Sequence, residues 1–148
     1  MNGNAALAAT PPVSTVERFD ADSTAPALAR EATRHFLRNQ TGQEETEAAT
    51  LLVSELVTNS VTASEGLESA RLSLSLRVIS DNLLIRVIDS APGIPEASKP
   101  DTPQEHGYGL FIVEQLCRHS GYFLMGGGQK CTYCILSISG EETGGSNQ

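Results

Sequence analysis

The chain has 148 residues, 39% of them hydrophobic, which is enough for one ordinary core and excludes disorder throughout. Lys and Arg number 10 against 18 Asp and Glu, a net charge of −8, so binding nucleic acid by neutralising phosphates is excluded as the main activity. Three Tyr, four Phe and no Trp leave little from which to build a base-stacking platform.

Residues 1–12 are small, polar and Pro-rich, and the segment 1–15 is expected to be a disordered lead-in, with Val16 and Phe19 marking a short first strand. A first helix is signalled by Ser23 or Thr24 as N-cap and by Pro26 in the opening turn. Its apolar stripe is expected to be Ala25, Leu28, Ala29, Ala32 and Phe36. A second helix runs from about Gln43 to Ala63 without Gly or Pro. Glu44, Glu45 and Glu47 lie near its start, where carboxylates suit the positive end of the helix dipole.

The hydrophobic period then changes from 3.6 to 2. Leu72, Leu74, Leu76 and Val78 alternate with Ser73, Ser75, Arg77 and Ile79, the pattern of a half-buried strand. Asp81-Asn82 turns the chain into a second strand, LLIRVID (83–89), closing a hairpin. The polar stretch from Ser90 to Gly107 carries four prolines, and a loop of that length reads as functional, often a lid. Gly107 and Gly109 open a third helix, with Gly121 as its expected stop. A closing hairpin pairs YFLM (122–125) with CTYCILSI (131–138) across a GGGQK turn.

The order β-α-α-β-β-α-β-β predicts an α+β fold, a two-layer α/β sandwich whose mostly antiparallel mixed sheet carries helices on one face. The expected division is lead-in 1–15, one domain over 16–139 and a disordered tail over 140–148. No apolar run approaches the roughly 20 residues of a membrane span, and the N-terminus lacks the pattern of a signal peptide. Three cysteines suggest no disulfide framework, so a cytoplasmic setting is expected.

Three features could carry chemistry. On the second helix, Glu55 and Asn59 are four residues apart and stack on one face, among Ser54, Thr58 and Thr62. An amide oxygen there can bind a hard cation and a carboxylate can polarise a hydroxyl; the same residues could equally form an exposed polar stripe. Asp89 ends an apolar strand before Ser90-Ala91-Pro92-Gly93-Ile94, where a carboxylate can accept a hydrogen bond from a ligand amine or simply make a turn. His106-Gly107-Tyr108-Gly109-Leu110 leads glycines into a helix start, an arrangement that suits a phosphate or a hinge. It is not a Rossmann fingerprint, and no Walker A pattern occurs. Cys131 and Cys134, three apart in a strand, point to opposite faces and read as buried cysteines, not as a metal or redox pair. His35 and His119 fall near expected helix C-termini, where they would cap.

The three features follow one another in a definite order: ELVTNS on a helix, VIDSAPGIP after a hairpin, then a long loop and GYGLFIVEQL. That order resembles the GHKL (histidine-kinase-like) ATPase superfamily. It is most similar to bacterial anti-sigma-factor serine kinases and related ATP-binding regulators, over about Phe19 to Ile138 and including Lys130 in the closing strand.

The resemblance implies ATP and Mg²⁺, with Asn59 coordinating the metal and Glu55 as general base. Asp89 would accept the adenine amino group beside Gly93 and Ile94. Gly107, Tyr108, Gly109 and Leu110 would hold phosphates, and 94–106 would form the lid. Two departures stand out: Thr62-Ala63-Ser64 where the family often has a basic or His residue, and Tyr133 where it often has Trp.

The function implied is an ATP-dependent protein serine kinase that binds a sigma factor and phosphorylates its STAS-type antagonist. The alternative is a nucleotide-dependent adaptor with little phosphotransfer. Family members are often dimers, so a homodimer is allowed.

Overall fold

A computed structural model describes residues 13–91 and 115–138. The elements are β1 (Val13–Asp20), α1 (Ala25–Leu37), α2 (Gln43–Ala63), β2 (Arg71–Ile79), β3 (Asn82–Asp89), β4 (His119–Leu124) and β5 (Lys130–Ser137). The strands form a five-stranded sheet in the order β1-β2-β3-β5-β4, antiparallel at each described pairing. Both helices pack on one face, so the α+β two-layer sandwich expected from the element order is the observed architecture.

Period-2 patterning decides which face that is. Leu72, Leu74 and Leu76 of β2 are buried opposite Asp89, Val87 and Ile85 of β3. The intervening Ser73, Arg77, Leu84 and Arg86 stay half-buried or exposed on the other face. The hairpin turns through Ser80, which adopts the left-handed conformation (φ 54). β1 starts at Val13, three residues before the expected domain start, because its register continues to Val78 at the far end of β2.

The helices meet this apolar face through small and branched side chains. α2 buries Ala49, Leu52, Val53, Leu56, Val57 and Ser60, at spacings of three and four, so one stripe faces the sheet. Each fully buried Leu or Val contributes about 1.5–3 kcal/mol relative to exposure.

On α1 the buried stripe is Ala25, Ala29, Thr33 and Leu37, while Leu28 is 47% exposed. The expected stripe was therefore rotated from the observed one. Thr33 is tolerated inside because its hydroxyl donates to the Ala29 carbonyl at 2.8 Å. Thr24 is the N-cap but makes no side-chain cap bond. Instead Asp22 Oδ1 accepts the Thr24 N–H at 2.9 Å and its hydroxyl at 2.5 Å. These two bonds hold the Asp22 carboxyl below its ordinary pKa.

At the far end of the sheet the chain differs from expectation. Gly121 lies within β4 and does not end a helix; of the third helix only Gln115 and Leu116 fall among the described residues. A Cβ at Gly121 would meet the Tyr133 hydroxyl at 3.0 Å, so glycine admits that ring across the strand pair. His119 is likewise a strand residue, its Nε2 lying 3.0 Å from the same hydroxyl. The GGGQK turn contains two left-handed glycines, Gly127 (φ 76) and Gly128 (φ 80).

Candidate functional site

β3 delivers Asp89 to the helix-covered face as the last member of the series Leu83, Ile85, Val87, Asp89. A carboxylate that continues an apolar row is buried by the strand's own periodicity, and Asp89 is 3% exposed. Burial of a charge is sustained only where donors surround it. The Ser60 hydroxyl, reaching down from α2, donates to Asp89 Oδ2. The Ala91 backbone N–H donates to Oδ1 at 2.9 Å. Lys130, directly opposite on β5, places Nζ 3.8 Å from Oδ1 with its side chain 7% exposed.

Of the two roles that the sequence context of Asp89 allowed, the turn is the one observed. The carboxylate makes that bond to Ala91 and also lies buried beneath α2.

Ser60 ties the ELVTNS segment to this point. Asn59, its neighbour in sequence, is half-buried at the rim, and Glu55 lies one turn back, about 6 Å along the axis, also half-buried. The polar side of α2 is divided. Ser54 accepts a hydrogen bond from Arg30 of α1 at 2.9 Å, so its flank faces the neighbouring helix. Glu55 and Asn59 belong to the flank on the far side of the buried stripe. Ser60 therefore joins Asp89 to the turn of α2 that carries Asn59, with Glu55 on the same flank as Asn59.

Gly93, Ile94, Gly107, Tyr108, Gly109 and Leu110, together with the expected lid 94–106, lie outside the described residues. Two further groups at the site were not singled out by the patterning. Ser60 carried a readable signal, since a serine at the centre of the apolar stripe must meet a polar partner. Lys130 shares the core-facing parity of Thr132, Cys134 and Leu136, a position at which lysine is rare unless paired.

Among the described residues, no group of three or more His, Cys, Asp or Glu is placed to hold a metal ion. The cysteines are structural: Cys134 is buried in the core and Cys131 on the opposite face, as their spacing required. A hydrogen bond with Cys117, reinforced by burial, pushes the Cys134 thiol up, and burial raises Cys131. A groove of about 450 Å³, lined in part by Ile88, Ser90 and Gln129, includes none of Glu55, Asn59 and Asp89.

The family model for histidine kinase-, DNA gyrase B- and HSP90-like ATPases matches residues 44–145. The chain belongs to this ATPase family. A comparison with curated proteins finds no significant match.

Among solved structures it is similar to the RsbU and RsbW domains of Rv1364c from Mycobacterium tuberculosis, with a TM-score of 0.60 and 18% identity over 87% of this chain. It spans only 33% of that structure's length. It is also similar to the blue-light activated histidine kinase EL346 of Erythrobacter litoralis, with a TM-score of 0.55, 22% identity and coverage of 79% of this chain and 42% of that one. At these identities the likeness is one of fold. No described helix is long and apolar enough to cross a membrane.

Proposed function

We propose that this chain is an ATP-binding regulator that acts as a protein serine kinase on an anti-sigma-factor antagonist. The observation that carries the reading is the bond from Ser60 to buried Asp89, which ties the α2 segment bearing Glu55 and Asn59 to a buried carboxylate. Membership of the ATPase family and the order of the three sequence motifs support it. The likeness to solved RsbU and RsbW domains supports the same fold.

In this reading Asp89 accepts from the adenine amino group. Ser60 and Ala91 donate to its oxygens and Lys130 lies across the strand pair, which fixes the orientation of the carboxyl group. Asn59 offers its amide oxygen to Mg²⁺, which supplies charge neutralisation between the phosphates when bound. Gly107, Tyr108, Gly109 and Leu110 hold the phosphates through backbone N–H groups, and Gly93 and Ile94 serve the base. Glu55 takes the proton from an incoming serine hydroxyl, whose oxygen bonds to the γ-phosphorus as the bond to ADP breaks.

The partners are a sigma factor and its STAS-type antagonist. Chain acidity favours partners with basic docking surfaces.

The test is phosphotransfer from labelled Mg-ATP to a purified STAS-type antagonist. Label on Ser or Thr supports the kinase. ATP binding without transfer sinks the kinase reading and leaves a nucleotide-dependent adaptor.

A further inference from the structure

The sheet has a second face, and its charge runs against that of the chain. Helices α1 and α2 cover the face that holds Leu74, Ile85 and Asp89; among the described residues, no helix packs on the other. By register this open face carries Arg18 of β1, Arg71 and Arg77 of β2 and Arg86 of β3. Asp20, paired with Arg71 at 3.0 Å, is the only acid among the described strand residues of that face. Four of the ten Lys and Arg of a chain with net charge −8 are thus gathered on one surface.

Arg86 stands at the centre, level with Ser75 on one side and Tyr133 on the other, with Arg77 on the cross-strand diagonal. It is half-buried, and its one hydrogen bond runs from Nη2 to the neutral Ser75 hydroxyl at 3.2 Å, while its buried Nε has no partner. No carboxylate among the described residues pairs with Arg18, Arg77 or Arg86. A half-enclosed guanidinium beside a hydroxyl keeps its charge uncompensated, and its fork of donors suits a carboxylate. Apolar side chains lie between the arginines. Val16, Ile79 and Phe123 are 52%, 42% and 48% exposed, and Leu84, Ile88 and Ile135 are half-buried. An antiparallel sheet that merely faces water shows polar residues there, whereas Arg interleaved with exposed apolar groups is the composition of a contact surface. The groove of about 450 Å³ opens at one end of this face, where Arg18, Arg71, Ser73 and Ile88 line it with Leu67 and Glu68.

We propose that the open sheet face is a docking surface for an acidic segment of a partner protein, one with two or three carboxylates spaced among aliphatic side chains. Arg77 and Arg86 take the carboxylates, and Leu84 and Ile88 beside them take the aliphatic groups. A short acidic segment is favoured over a nucleic acid, because a chain of net charge −8 repels a long polyanion while local arginines still bind a few charges. The surface lies across the sheet from Asp89, so it does not depend on the nucleotide reading.

The test titrates the full chain with two fluorescently labelled octapeptides, one alternating Glu with Leu and the other Gln with Leu, and follows anisotropy at low ionic strength. The Glu peptide should bind about 10-fold or more tightly than the Gln peptide, the margin expected of a few exposed ion pairs. Arg77→Gln and Arg86→Gln should each weaken the Glu peptide about 3-fold or more. Arg34→Gln, which removes the same charge from α1, should change it by less than about 2-fold.

The proposal is overturned if the two peptides bind alike or neither binds. Equal loss in Arg34→Gln and Arg77→Gln also overturns it, since that is attraction by overall charge alone. So does tighter binding of a single-stranded oligonucleotide through the same arginines, or a dimer in sedimentation that Arg77→Gln dissociates, which would make a second copy the occupant. The wild-type peptide series needs no variant to fold, and Arg77 is an exposed side chain whose replacement leaves the core untouched.

Discussion

Two places along α2 treat polar side chains in opposite ways. At Ser60 the hydroxyl lies inside the apolar stripe and is matched by a buried carboxylate across the layer. At Asn59, the preceding residue, and at Glu55, a little over one turn earlier, the side chains flank the stripe and remain half-buried. Burial fixes the first pair in one arrangement, because an unsatisfied polar atom there costs about 1–3 kcal/mol. The rim groups keep access to outside molecules. One helix thus carries a buried, fixed polar group and half-buried ones side by side, according to whether each falls on its packing stripe or just off it.

The contrast can be broken experimentally. Glu55→Gln should reduce phosphotransfer by roughly 10²–10⁴-fold while leaving ATP affinity nearly unchanged, as expected for loss of a general base. Equal loss of both would place Glu55 among the groups that bind. Asp89→Asn should act in the reverse sense, weakening Mg-ATP by about 10–100-fold in calorimetry through loss of a charged acceptor.

Neither variant should match Leu74→Ala in global stability. That change empties a fully buried site beneath the helices and should lower the unfolding free energy by about 2–5 kcal/mol in urea titration. Ser60→Ala should cost about 1–3 kcal/mol and weaken ATP by less than Asp89→Asn does, since Ser60 acts through the carboxylate. If Ser60→Ala leaves both quantities untouched, the rigid half of the comparison is lost.

The smallest effect belongs to Asp22, at the start of α1. Its folded pKa is lowered by the Thr24 side-chain bond first and the backbone bond second. Its contribution is therefore present above the ordinary carboxylate pKa near 4 and is lost as pH falls through the lowered folded value. Asp22→Asn should slightly flatten the acid limb of thermal stability and leave Tm at neutral pH only marginally changed, because the site is fully exposed.

Much of the architecture was legible because period and punctuation are local. The bounds Gln43–Ala63 followed from an uninterrupted helical run, and the β2–β3 hairpin followed from alternation on both sides of a polar turn. The order of motifs likewise announced the ATPase family. At the site, Asp89 was legible as the end of an apolar strand, and Glu55 with Asn59 as a pair on one helix face. Where local signals competed, the reading slipped. Leu28 resembled a core residue by spacing, yet Thr33 and Leu37 are the residues buried, and Gly121 resembled a helix stop although it serves Tyr133.

By itself, then, the sequence determined element types, the apolar stripe of α2 and the acidic character of the chain, all set by neighbours within a few residues. Which polar groups meet was decided only by the tertiary structure. Ser60 and Asp89 are 29 residues apart, and Lys130 comes from a third element. Only strand register and the docking of α2 on the sheet bring all three to one buried point. Such a meeting depends on long-range packing, for which no local periodicity carries a signal.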